Sequence, residues 1–299
     1  MKQRLIRICQ KLGLLPQRKL LVEHLDNYSP QLGRNIKVDI FLPTDFYRRT
    51  STKYDILYIN DGQDMQAVGM KRAVEKLWQK RYIGRLIVVA MYANERRLRE
   101  YGTANRLDYK GRGDLADDYT RFVTLELIPF MRDHYRLNNR IKKRVFAGFS
   151  LGGLSAFDIV WHNANLFQKA GVFSGSFWWR SKPIEADPDP DANRIVQDYL
   201  FDANKQEGLK FWFQTGTEDE RADRNGNGII DSIDDTQDVI DALEQLGYGD
   251  EDIAYVEVEG GRHNQQTWGQ VLPQFLMWAF GQQTQPLTSI FGVRSRQTS

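Results

Sequence analysis

The chain has 299 residues and a formal net charge of +2, from 41 Lys and Arg against 39 Asp and Glu. That balance argues against the basic footprint of a nucleic-acid binder, and 27% charged with 12% aromatic residues argues against a disordered or fibrous chain. One cysteine, Cys9, excludes a disulfide framework and a Cys-based zinc site, and no run approaches the ~18 apolar residues of a membrane helix.

Residues 1–19 are basic, their apolar stretch is broken by Arg7, Gln10 and Lys11, and no small-residue cleavage site follows. They read as a short leader, and the expected location is the cytoplasm. Residues 20–26 and 36–43 read as an antiparallel hairpin, and 54–59 (YDILYI) as a strand buried on both faces. A helical pattern over 69–80 precedes a strand at 85–92, and 93–117 reads as a long polar loop. Helical spacing resumes over 118–135. A strand at 142–149 runs into Ser150 and the helical pattern LGGLSAFDIVWH. Strands at 169–179 and 209–216 flank a connection rich in Pro and Asp. The last units are a helix at 235–247, a strand at 253–258 and a helix at 266–280, before a polar tail at 283–299. Alternation of this kind predicts one α/β domain over 20–282, with a mostly parallel central sheet, helices on both faces and an N-terminal antiparallel hairpin.

The motif that carries chemistry is Gly148-Phe149-Ser150-Leu151-Gly152-Gly153. A serine in Gly-x-Ser-x-Gly between a strand and a helix stands in a turn too tight for flanking side chains, with its hydroxyl above the carboxyl edge of the sheet. The Leu151 amide, at the start of the helix, then faces the position of an oxyanion. Alone the pattern is also that of a glycine-rich turn with a capping serine; the strand and helix on the correct sides favour the nucleophile. Among four histidines, His24 lies in the hairpin, His134 in a charged helix, and His162 three turns down the helix after Ser150. His263 follows a strand at the edge where ligands collect in such sheets, and reads as the base. An acid is expected between them, in Thr217-Glu218-Asp219-Glu220 or at Asp223; Asp219 is chosen because the loop needs a short turn before its side chain faces the histidine loop. Asn60-Asp61-Gly62-Gln63, after YDILYI, reads as the second oxyanion loop, with Gly62 allowing close approach and Gln63 offering its amide. Trp178 and Trp179 read as an aromatic wall, with Arg97 and Tyr101 in the loop after residue 92 as further substrate contacts.

These blocks together resemble the esterase family of α/β-hydrolases that includes S-formylglutathione hydrolases, feruloyl and acetylxylan esterases and enterochelin esterases. The likeness rests on NDGQDM (60–65), RLREY (97–101), ELIPFMRDHYR (126–136), AGFSLGGLSAF (147–157), LFQKAGVFSGSFWW (166–179), TGTEDE (215–220) and GGRHNQQTW (260–268). It is nearest to the enterochelin-esterase-like branch, although an extra N-terminal domain common there has no counterpart in this sequence. The resemblance implies an α/β-hydrolase fold and a serine esterase with Ser150 as nucleophile, Asp219 as acid, His263 as base, and oxyanion amides at Leu151 and near Gly62–Gln63. Such an enzyme needs no cofactor and takes a small-molecule ester. The alternatives are an acyltransferase on the same triad and a non-catalytic protein binding at Trp178 and Trp179.

A second motif occupies residues 223–234. Asp223, Asn225, Asn227, Ile229 (through its carbonyl), Asp231 and Asp234 fall at the spacing of a twelve-residue calcium loop, with Gly228 at its turn. Three charged ligands and a final Asp in place of Glu predict weak binding of Ca2+. The other reading is a turn held by Asx hydrogen bonds.

Overall fold

The protein, as a computed structural model, is described over residues 18–281. Apart from Arg18 and Lys19, the expected leader lies outside the described residues, as does the expected tail. Eight strands form one sheet in the order β1-β2-β4-β3-β5-β6-β7-β8. β1 (Leu20–Ser29) and β2 (Arg34–Pro43) are the antiparallel hairpin, and β2 also runs antiparallel to β4 (Leu86–Met91). From β4 onward, β3 (Tyr54–Ile59), β5 (Ile141–Phe149), β6 (Lys169–Phe173), β7 (Lys210–Glu218) and β8 (Ile253–Arg262) are parallel. Every residue of β3 and β4 is buried, because helices cover both faces of the sheet centre.

One face is covered by α1 (Met70–Gln79) and the last helix, whose Trp268, Leu272, Phe275 and Leu276 pack with Leu57, Val88 and Ala147 of the sheet. On the other face lie α2 (Arg97–Glu100), α3 (Ala116–Arg121), α4 (Ile128–His134), α5 (Leu151–His162), α6 (Ile195–Phe201) and α7 (Asp231–Gln245). They enclose a core that includes Tyr119, Phe146, Phe157, Phe213 and Val239. The last helix is α8 (Gln265–Phe280), capped by Asn264, whose side chain accepts from the amides of Gln266 and Thr267. Among the described residues no helix is long and apolar enough to cross a membrane.

Several elements differ from the sequence reading. The helix expected at 118–135 starts at Ala116 and passes through a π-helical segment, Phe122–Leu127, before α4. The strand expected over 169–179 stops at Phe173, because Ser174 takes a left-handed backbone (φ 46°) and turns the chain. β7 and β8 run longer than expected, so Asp219 and His263 each follow directly on a strand. α7 begins at Asp231, which places Asp231 and Asp234 in its first turn, where carboxylates suit the helix dipole.

Candidate active site

The carboxyl ends of β3, β5, β6, β7 and β8 present Asn60, Ser150, Ser174, Asp219 and His263 along one edge of the sheet. Ser150 occupies φ 55°, ψ −125°, a conformation L-residues rarely adopt, at the junction of β5 and α5. Its amide donates to the Phe173 carbonyl (2.8 Å), and its own carbonyl accepts from Gly153 (2.9 Å) and Leu154 (3.1 Å). A Cβ on Gly148 would overlap the Gly152 carbonyl, so the turn closes only on glycine. Gly148→Ala is therefore expected to destabilise the fold by about 2–3 kcal/mol; a denaturant midpoint equal to wild type would show that the elbow can relax.

Asp219 accepts the Gly216 amide on Oδ2 (3.0 Å), while its buried Oδ1 has no hydrogen-bond partner among the described residues. His263 lies within Coulombic reach of this carboxylate. Burial raises the Asp219 pKa; the Gly216 amide, the Ser174 hydroxyl and His263 each hold it down. The other candidate acids are committed elsewhere. Glu218 pairs with Arg262 at the surface (2.9 Å), Glu220 lies near Asp231 and Ser232, and both oxygens of Asp223 accept amides of its own loop. The indole of Trp268 meets the His263 ring edge-on (5.4 Å between centroids, 79°) and donates Nε1–H to Ser174 Oγ (3.0 Å). The other histidines lie apart from this edge: His24 bonds Asp39 (2.6 Å), His134 stacks on Phe130 (4.9 Å), and His162 bonds the Asp158 carbonyl (3.0 Å). Ser150 Oγ lies 3.5 Å from Ser176 Oγ, and the His263 ring has no hydrogen bond among the described residues. Links of this kind commonly tighten only when substrate binds.

Residues 29–279 match the family described as "Putative esterase". The chain belongs to this esterase family. YjcH of Bacillus subtilis (strain 168) is 23% identical over 219 residues, 73% of this chain and 82% of that protein. Among solved structures, a ferulic acid esterase superposes with a TM-score of 0.65 at 18% identity, over 88% of this chain and 98% of that one. The enterobactin esterase FES from Shigella flexneri, with enterobactin present, gives 0.65 at 21% identity over 90% of this chain. The match spans 61% of that longer enzyme. The architecture is that of the α/β-hydrolases, and the protein is a carboxylic ester hydrolase.

In this esterase the loop after β3 is held against the elbow from several directions. Asn60 Nδ2 donates to the Gly152 carbonyl (2.8 Å), and Tyr119 donates its hydroxyl to Asn60 Oδ1 (2.7 Å). Asp61 is left-handed (φ 58°) and starts a 3-10 turn at Gly62–Asp64, whose Gly62 and Gln63 amides have no acceptor within the turn. A Cβ on Gly62 would lie 2.7 Å from both the Ala90 carbonyl oxygen and the Tyr92 ring, so the loop can pack against the end of β4 only with glycine there. Gln63 donates Nε2–H to Asp61 (3.1 Å) and accepts the Ala93 amide (3.1 Å). The first amide of α5, that of Leu151, is likewise free of any intrahelical acceptor.

Three of the expected substrate contacts have other partners. Arg97 grips Asp61 with both arms of its guanidinium (Nε–Oδ1 2.7 Å, Nη2–Oδ2 2.8 Å) and reaches the Phe149 carbonyl (3.3 Å), so its charge is spent on the loop after β3. Tyr101 is 1% exposed, packs edge-on to Tyr119 (5.1 Å) and accepts the Asp61 amide on its hydroxyl (3.3 Å). Trp179 is fully buried, which removes half of the paired-tryptophan wall and with it the basis of the non-catalytic reading. Trp178 remains 36% exposed, two residues beyond Ser176, with the Arg112 guanidinium stacked 5.2 Å from its ring. What the sequence reading missed are Ser176 beside Ser150 and the Asp61–Arg97 pair. The Ser-Gly-Ser that follows β6 was a usable signal for the first; nothing local signalled the second.

The 223–234 loop is closed by its own hydrogen bonds. Asp223 accepts the Asn227 and Gly228 amides (3.1 and 3.0 Å), and Asn227 accepts that of Ile229 (2.8 Å). Asp234 accepts from the side chains of Asn225 (2.8 Å) and Asn227 (3.3 Å). Asp231 turns away to the amide (2.9 Å) and guanidinium (3.3 Å) of Arg224, and Asp191 approaches Asn225 instead (2.9 Å). Among the described residues no group of three or more His, Cys, Asp or Glu is placed to hold a metal ion.

Burial lowers the pKa of His263 from its ordinary 6.5, Arg97 adds to that shift, and Asp219 opposes it. A lowered value keeps the ring neutral, and able to accept a proton, further into acid. The acid limb of kcat/KM is expected below pH 6.5, with activity lost as the pH falls through it; a midpoint at 7 or above would contradict this electrostatic account.

Proposed function

We propose that this esterase works through an acyl-enzyme on Ser150. Ser150 Oγ attacks the ester carbonyl as His263 takes its proton, and the amides of Leu151 and Gln63 receive the oxyanion. The intermediate collapses as His263 protonates the leaving alcohol. Water, deprotonated by His263, then cleaves the acyl-enzyme to the acid and restores the serine. Asp219 orients the imidazole and stabilises its charged form. The observation that carries this reading is the strained backbone of Ser150, held at the same sheet edge as His263 and as Asp219, whose buried Oδ1 has no hydrogen-bond partner among the described residues. Trp178, two residues beyond Ser176, supplies an exposed aromatic surface for the acyl or alcohol part of a small-molecule ester.

The test is labelling by a fluorophosphonate together with hydrolysis of a chain-length series of p-nitrophenyl esters. Stoichiometric labelling at Ser150 and serine-dependent turnover are expected. A folded protein that hydrolyses esters without labelling would refute the mechanism, and ester products formed with an added alcohol would identify acyl transfer on the same triad.

A further inference from the structure

At the amino ends of the parallel strands, the edge opposite Ser150, lies a cavity of about 500 Å³. Arg18, Lys53, Arg81, Arg85 and Lys142 line it, with Trp78 as an apolar wall. Lys53 and Arg85 stand directly before β3 and β4, and Lys142 is the second residue of β5. The sheet order β4-β3-β5 therefore sets three cations at the starts of neighbouring strands, whose backbones run roughly 4.8 Å apart.

The local counter-charge is small. Asp45 is shared between Arg85 (2.7 Å) and Arg49 (2.6 Å). Asp55, within Coulombic reach of Lys142, is pushed toward its neutral form by burial. Arg18 gives one N–H to the Gln79 carbonyl (3.0 Å), whereas buried Arg85 Nε has no acceptor among the described residues. Arg81 holds a left-handed backbone (φ 63°) just after α1, a position where glycine would be unstrained and a long cation stands instead. Neither 1–17 nor 282–299 contains an Asp or Glu, so no carboxylate side chain from those segments neutralises the cavity.

We propose that this cavity binds a phosphate-bearing ligand. Clustered ammonium and guanidinium groups around one space match a multiply charged tetrahedral oxyanion, and the arginine forks match its paired oxygens. The site stands apart from the catalytic edge by the length of β3, about 20 Å.

The full chain is to be titrated with pyrophosphate by calorimetry, and with phosphatidylglycerol and phosphatidylcholine vesicles by co-sedimentation. Saturable one-to-one binding of pyrophosphate is expected for wild type and for Ser150→Ala alike. Lys142→Ala and Arg81→Gly should each weaken it about tenfold or more, with ester hydrolysis unchanged. Arg81→Gly also relieves the left-handed backbone, so its loss of affinity cannot be ascribed to misfolding. Binding to phosphatidylglycerol vesicles that pyrophosphate displaces would identify a lipid headgroup as the source of the phosphate; pyrophosphate binding without vesicle binding would identify a soluble phosphorylated compound. No pyrophosphate binding by wild type, or wild-type affinity in both variants, would overturn the proposal.

Discussion

Ser150→Ala should lower kcat by about 10⁶-fold while leaving the melting temperature within a degree or two of wild type. Alanine removes only Oγ. The Cβ remains, so the backbone at φ 55° is as strained as before and the contact between Gly148 and Gly152 is untouched. Any residual rate would come from binding and from the amides of Leu151 and Gln63, which the substitution does not move. Steady-state assays, a burst titration of acyl-enzyme and a thermal melt on the same preparation separate loss of chemistry from loss of fold. Near-normal turnover by a folded Ser150→Ala protein would rule out the acyl-enzyme.

The second large effect concerns Arg97. Asp61 is 2% exposed and keeps its charge compensated through the two bonds from Arg97. Arg97→Gln strands that carboxylate, and removing one partner of a buried pair costs about 3–5 kcal/mol. The lower end is expected here, because the Arg97 side chain is 30% exposed and water can reach the gap. The loop carrying Gly62 and Gln63 also loses its tie to the Phe149 carbonyl, one residue before Ser150. Displacing one oxyanion amide should lower kcat by about 10²–10³ with less effect on KM. Loss of the positive charge should also move the acid limb of the pH profile upward, since Arg97 is among the causes that lower His263. Adding Asp61→Asn should restore much of the stability and little of the rate, because the stranded charge disappears but the loop remains untied. An unchanged kcat in folded Arg97→Gln would show that the pair only stabilises the fold.

What the sequence made legible were features with a local cause. Apolar runs marked β3 and β4, because strands covered on both faces need no polar alternation. Gly-x-Ser-x-Gly was readable at Ser150 because crowding around one turn dictates the residues on either side of it. The segment Phe177-Trp178-Trp179 carried a partial signal, since consecutive large apolar residues off a strand cannot all face one way; two are buried and the middle one is exposed. Hidden from view were properties settled between distant residues. Arg97 looked like a free cation because its partner lies 36 positions earlier, on the far side of β4. Tyr101 looked exposed in a polar loop, yet the loop folds back over Tyr119. Asp219 could be told from Glu218 and Glu220 only with the end of β7 in place, because one added strand residue changes which side chain faces His263.

The spread of the candidate triad along the chain bears on when the enzyme becomes competent during synthesis. The loop at Gly62 and Gln63 leaves the ribosome early, Ser150 well after it, and His263 last, one residue before α8 is capped at Asn264. Contacts over such separations form slowly, and α8 is itself half the cover for one face of the sheet. Until its Trp268, Leu272, Phe275 and Leu276 arrive, Leu57, Val88 and Ala147 face solvent on that side. A nascent chain therefore carries a sticky, inactive sheet until its final helix docks, and protection from aggregation and catalytic competence arrive in the same step.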